Sequence, residues 1–127
     1  MSRKLDMAVV EAMGWTNVTY IEEIHSFPFG EPPKPKEQRY GDYRDFERVP
    51  NYSEDGSAML ELIAELKKCG YNVTVTSWDY LNNKPGVIAT ILKPDSEIDG
   101  GCGYADTMPQ AVALAAHKAL TGRDWVG

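Results

Sequence analysis

Apolar residues at Leu5, Ala8, Val9, Ala12 and Met13 recur three and four apart, the signature of a helix with one buried stripe. Ser2 stands at its start as a cap. Gly14 supplies the left-handed residue that closes such a helix and folds Trp15 back onto the last turn. The period then shortens: Val18, Thr19, Tyr20, Ile21 and Ile24 predict a strand over 17–24. A second helical stripe, Ala58, Met59, Leu62, Ile63 and Leu66, follows Val49-Pro50-Asn51-Tyr52-Ser53-Glu54-Asp55. Ser53 is its expected N-cap, with Glu54 and Asp55 in the first turn, where negative charge suits the helix dipole. Lys67, Lys68 and Gly70 end it.

Tyr71, Val73 and Val75 then alternate with Asn72, Thr74 and Thr76, and 87–92 is a shorter, more apolar run. Asn82-Asn83 and Pro85-Gly86 between them predict an antiparallel hairpin. Residues 94–103 read as a loop. Thr107 and Gln110 form a capping box for a last helix over 108–120, with Pro109 in its first turn. Ala111, Ala113, Ala115, Ala116 and Ala119 let that helix lie close to a neighbour. Thr121-Gly122 ends it, and Trp125 in the short tail packs back. The order helix, strand, excursion, helix, strand, strand, helix predicts an α/β (α+β) domain: a small mixed sheet of three or more strands with helices on its faces. A right-handed crossover through the second helix would set the first strand parallel to the next, if the two are neighbours. Leu62, Ile63, Leu66, Val73, Val75, Ile88 and Val112 are the expected core.

The stretch 25–48 breaks this rhythm. Pro28, Pro32, Pro33 and Pro35 interrupt helices and central strands, so it reads as an extended surface excursion. Its second half carries Arg39, Tyr40, Tyr43, Arg44, Phe46 and Arg48, interleaved with Asp42, Asp45 and Glu47. Guanidinium groups grip phosphate bidentately and rings stack on bases, so the cluster is a candidate nucleotide site. In an extended chain Arg44, Phe46 and Arg48 share one face, with Tyr43 on the other. The competing reading is a surface loop whose acids and arginines pair with one another.

Composition narrows the functional classes. The chain has 127 residues, enough for a single domain, and a net charge of -6. That charge argues against generic nucleic-acid or anionic-lipid binding, which needs phosphate neutralisation by Lys and Arg. No apolar run reaches the roughly 20 residues of a membrane span, and residues 1–15 lack the pattern of a secretory signal. A cytosolic protein with Cys69 and Cys102 reduced is expected.

Other chemistry is thinly marked. Gly100-Gly101-Cys102-Gly103 ahead of a helix start suggests an anion cradle from Gly101, Gly103 and Thr107, but it lacks the spacing and lysine of a phosphate loop, and Asp99 and Asp106 flank it. A flexible turn is the simpler reading. His25 and His117 have no ligand partner at helical spacing, so no metal is expected. Asp95, Glu97 and Asp99 alternate without the terminal Glu of a calcium loop. Trp15 and Trp125 read as packing residues, and Trp78 as packing or an interface marker.

Taken together, three groups of residues resemble the phage ABA sandwich domain family, small tailed-phage and prophage proteins. They are 8–15 (Ala-Val-Val-Glu-Ala-Met-Gly-Trp), 49–55 with the helix that follows, and 104–113 (Tyr-Ala-Asp-Thr-Met-Pro-Gln-Ala-Val-Ala). The excursion at 25–48 is longer than the family pattern. The resemblance implies one α-β-α layered domain over 1–127 in a host bacterial cytosol, and assigns no activity. The function expected on this basis is a non-enzymatic binding protein without cofactor, a counter-defence factor that sequesters a small anionic, nucleotide-type signal. The alternative is an accessory phage protein binding a host or phage protein, with homo-oligomerisation left open. The third choice is a small nucleotide-acting enzyme using Asp106 or Asp55 with His25.

Overall fold

A computed structural model describes residues 3–21, 23–78, 86–93 and 99–125. Helix α1 (Arg3–Ala12) buries Leu5 and Val9 of its expected stripe, with Ala8, Ala12 and Met13 half-buried, and also buries Val10 and the carboxylate of Asp6 outside it. Its end is closed by Gly14 at φ +102°, with the Gly14 N–H on the Glu11 carbonyl and the Trp15 N–H on the Val10 carbonyl. This is the double hydrogen bond of a Schellman cap. Helix α2 (Gly56–Lys68) ends the same way: Gly70 lies at φ +93° and the Tyr71 N–H reaches back to Leu66.

Among the described residues the strands form two antiparallel sheets in place of the single mixed sheet expected. In the first, β1 (Thr16–Thr19), β2 (Phe29–Glu31) and β3 (Glu47–Arg48) lie in the order β1-β2-β3. In the second, β4 (Asn72–Trp78), β5 (Gly86–Leu92) and β6 (Asp99–Ala105) lie in the order β4-β5-β6. The α/β class and the β4–β5 hairpin therefore stand, while β1 is a member of the other sheet and not a neighbour of β4. The expected strand over 17–24 stops at Thr19, and the Ile24 and His25 amides turn back onto the Ile21 carbonyl. The partner strand explains the early stop. Segment β2 has three residues between Pro28 and Pro32, so only that length can be paired. The excursion is thus partly sheet: prolines bracket β2 instead of preventing it.

Helix α3 (Met108–Thr121) packs along β6 and β5, α1 packs on α3, and α2 contacts both α3 and β4. The expected loop at 94–103 is in its described part the strand β6. Cβ atoms added at Gly101 would lie 2.5 Å from the Ala115 carbonyl oxygen and 2.6 Å from the Ala119 nitrogen. One at Gly103 would collide with the Ala111 carbonyl oxygen and lie 2.6 Å from the Ala115 nitrogen. The glycines are there because the α3 backbone, stripped to alanine at 111, 115 and 119, rests directly on the strand. Of the expected core, Leu62, Leu66 and Val112 are buried and Ile63, Val73, Val75 and Ile88 half-buried.

Both expected caps need correction. Helix α2 starts at Gly56 with Asp55 as N-cap, its side chain accepting from the Ser57 N–H at 3.1 Å. Ser53 lies a turn earlier, 1% exposed, and its N–H and hydroxyl both engage Asp6. Thr107 does occupy the N-cap position of α3, but its side chain makes no capping hydrogen bond. Ser2, the turn residues 81–85, Asp95, Glu97 and the side chains of Trp78 and Asp99 lie outside the described residues.

Candidate functional site

A cleft of about 770 Å³ opens among the described residues where the three helices end. Ala12, Met13 and Trp15 come from the end of α1, Leu66, Cys69 and Tyr71 from the end of α2, and Leu120 from the last turn of α3. Pro32 and Pro33, leaving β2, form another wall, and Tyr52 lies below. A volume of this size suits a drug-sized molecule or an inserted side chain. Both aromatic rims, Trp15 and Tyr71, are the residues that the two Schellman caps swing back over their helix ends.

The polar groups of the cleft share one sign. Glu61 and Glu65 stand one turn apart on α2. Lys68 holds Glu65 at 3.2 Å, while Glu61 has no ion pair among the described residues. Burial, followed by the charges of Glu61, Glu65 and Asp6, pushes the Tyr52 phenol up to about 12, so it stays neutral with a proton to donate. Three helix C-termini converge here, each carrying partial negative charge on its last carbonyls. Lys118, at the end of α3, is directed instead to Asp124 at 3.5 Å and the Gly122 carbonyl at 3.4 Å. The field in the cleft favours a cation or a hydrogen-bond donor.

The sequence-predicted residues lie elsewhere. The segment 39–48 is not an extended strand, because Tyr43–Asp45 forms a 3-10 turn. Arg44, Phe46 and Arg48 therefore do not form one alternating face. Asp45, 4% exposed, accepts from the Tyr40 and Gly41 amides at 2.8 and 2.7 Å and pins the loop from within. Those amide hydrogen bonds hold its carboxyl below the usual range. Asp42 takes the Arg44 guanidinium bidentately, with contacts of 2.8–3.2 Å, and the same guanidinium stacks over Tyr40 at 4.1 Å. Arg48 stacks over Phe27 at 4.2 Å, and the Arg39 Nε–H donates to the Lys34 carbonyl. The pairing within the loop thus follows the competing surface reading, although Tyr40 and Tyr43 remain 62% and 81% exposed.

Gly101 and Gly103 are buried under α3, whose backbone fills the space a bound anion would need. Thr107 is exposed at the helix start. His25 meets Phe29 edge-on, and its Nδ1 accepts from the Ile21 N–H at 3.4 Å. His117 meets Trp125 edge-on, so the tail does fold back. Cys69 and Cys102 are both exposed. Among the described residues no three His, Cys, Asp or Glu side chains gather as a metal site, and no helix is long and apolar enough to cross a membrane.

The cleft was missed because its lining comes from five separate stretches of chain. The signal that could have found it is the pair Gly14-Trp15 and Gly70-Tyr71, two helix ends closed by glycine and an aromatic. No family model, curated protein or solved structure matches the chain.

Proposed function

We propose that this chain is a non-enzymatic binding protein whose ligand occupies the cleft at the three helix ends. The ligand has an apolar or aromatic body and a cationic head: an alkyl- or arylammonium compound, or a lysine or arginine side chain presented by a partner protein. The observation that carries this reading is the convergence of Glu61, Glu65, the protonated Tyr52 and three helix C-termini on one aromatic-rimmed cavity. A cation therefore replaces the nucleotide-type anion as the favoured ligand, since Glu61, Glu65 and the helix C-termini repel a phosphate, while the neutral Tyr52 hydroxyl adds no charge of either sign. The resemblance to the phage ABA sandwich domains supports a sequestering or accessory role in a bacterial cytosol, where binding without chemistry is sufficient.

Cys69 gives a local reporter. In a Cys102→Ser background, arylalkylamines should slow alkylation of Cys69 and move the backbone NMR signals of 12–15 and 61–71, whereas nucleotides should do neither. Combined Glu61→Gln and Glu65→Gln changes should remove the preference for an amine over its uncharged alcohol analogue. Protection of Cys69 by nucleotides but not amines, or amine-induced shifts confined to another face, would overturn the proposal.

A further inference from the structure

Sheet edges display unpaired N–H and C=O groups, and folded proteins guard them with charges, bulges, brevity or an overlying element. Three of the four edges here follow that rule. Strand β1 carries a register irregularity and Asn17 in the left-handed region at φ +52°. Strand β3 has two residues, Glu47 and Arg48, both charged. Strand β6 begins at Asp99, has a register shift opposite Leu92, and lies under α3.

The fourth edge is different. Strand β4 runs Asn-Val-Thr-Val-Thr-Ser-Trp over 72–78, with no charge, proline or glycine. It pairs with β5 in unbroken register over its whole length, and the strand order β4-β5-β6 leaves its other side without a strand among the described residues. Asn72, Thr74 and Thr76 are exposed, while Val73 and Val75 pack toward the core beside α2.

We propose that β4 is the seam of a homodimer, in which the β4 strands of two copies pair antiparallel about a two-fold axis and join the sheets into one of six strands. The occupant is a second copy because an antiparallel pair of identical strands is complementary to itself, and a two-fold interface requires that self-match. In registers that keep both α2 helices on one side of the joined sheet, residues of like parity face each other. Thr74 then meets a threonine of the second copy on the open face, and Val75 a valine on the helix side. Thr–Thr and β-branched pairs of this kind stabilise neighbouring strands. Closure by the two-fold uses the one free β4 edge of each copy, so assembly stops at two.

Sedimentation velocity over a wide concentration range tests this. The full chain should reach twice its 14.1 kDa mass, and dilution should return it to monomer. Lysine at an exposed edge position, Thr74→Lys or Thr76→Lys, should weaken association about tenfold or more, because each charge enters the seam twice. Far-UV circular dichroism should be unchanged. The alternate amides of 72–78 that point away from β5 should exchange slowly at high concentration and quickly on dilution. A chain monomeric up to millimolar concentration, an open ladder of oligomers, a dimer untouched by both lysine variants, or concentration-dependent protection located away from β4 would each overturn the proposal.

Discussion

Replacing Asp6 with Asn should remove a pH dependence that burial builds into this fold. The Asp6 carboxylate is 2% exposed and accepts the Ser53 N–H at 2.9 Å. Desolvation raises its pKa from 3.8 to about 6, with the Ser53 hydrogen bonds opposing the rise, Glu54 adding to it and Arg3 opposing it. The folded state therefore holds a proton that the unfolded chain has released between those two values. The stabilisation is fully present below pH 3.8 and is lost as pH rises through about 6. Integrating between the two states gives about 1.3 kcal/mol more stability at pH 5 than at pH 7 from this one group. Asp42 and Asp45 are shifted the opposite way by hydrogen bonds from Arg44 and from the Tyr40 and Gly41 amides, so their contributions fade only below this window. Asn keeps an oxygen for the Ser53 N–H, and its amide can donate to the Ser53 hydroxyl. Urea unfolding of both proteins at pH 7, 6 and 5 is the assay. The wild-type stability minus that of Asp6→Asn should rise by about 1.3 kcal/mol from pH 7 to pH 5, with both histidines cancelling in the difference. A flat difference would refute desolvation as the dominant effect, and a falling one would mean that the folded protein favours the charged carboxylate.

Gly103→Ala should destabilise the fold by about 1–3 kcal/mol, because its methyl enters the α3 backbone, whereas Gly41→Ala, in open space, should act only through its positive φ; chemical denaturation compares them. Asp55→Ala should cost about 1 kcal/mol as the loss of a side-chain cap, while Thr107→Ala should change the melting temperature little, since no capping bond is lost. An equal cost at both positions would contradict the cap assignments.

The helices were legible because each carries its own period and its own stop. Leu62 and Leu66 declare a buried face, and Gly14, Gly70 and Gly122 mark the three ends, all at positive φ. What stayed hidden depends on contacts between distant segments. Ser53 has the residue type of a cap, but Asp6, 47 positions away, captures it. Gly100 to Gly103 have loop composition, and only the arrival of an alanine-faced helix makes glycine a strand residue there. The Arg39–Arg48 cluster was visible as composition, yet the partner of each guanidinium was not: Asp42, Tyr40 and Phe27 occupy two of them. The cleft had no local motif beyond its two glycine–aromatic caps, since helix ends converge only after folding.

The pairing of Gly30 with Glu47 bears on how such a protein can be varied. Two neighbouring strands hold the ends of the intervening stretch about 5 Å apart, whatever lies between them. Doubling the length of a flexible connection costs only about 0.6 kcal/mol in closure entropy. Pro33 and Asp45 set the limits, the first as a cleft wall and the second as the internal pin. Between them lies a natural graft site. Foreign epitopes or affinity tags inserted after Lys36 would be displayed from an anchored base, and lineages carrying this domain would be free to diversify the same stretch without disturbing the core.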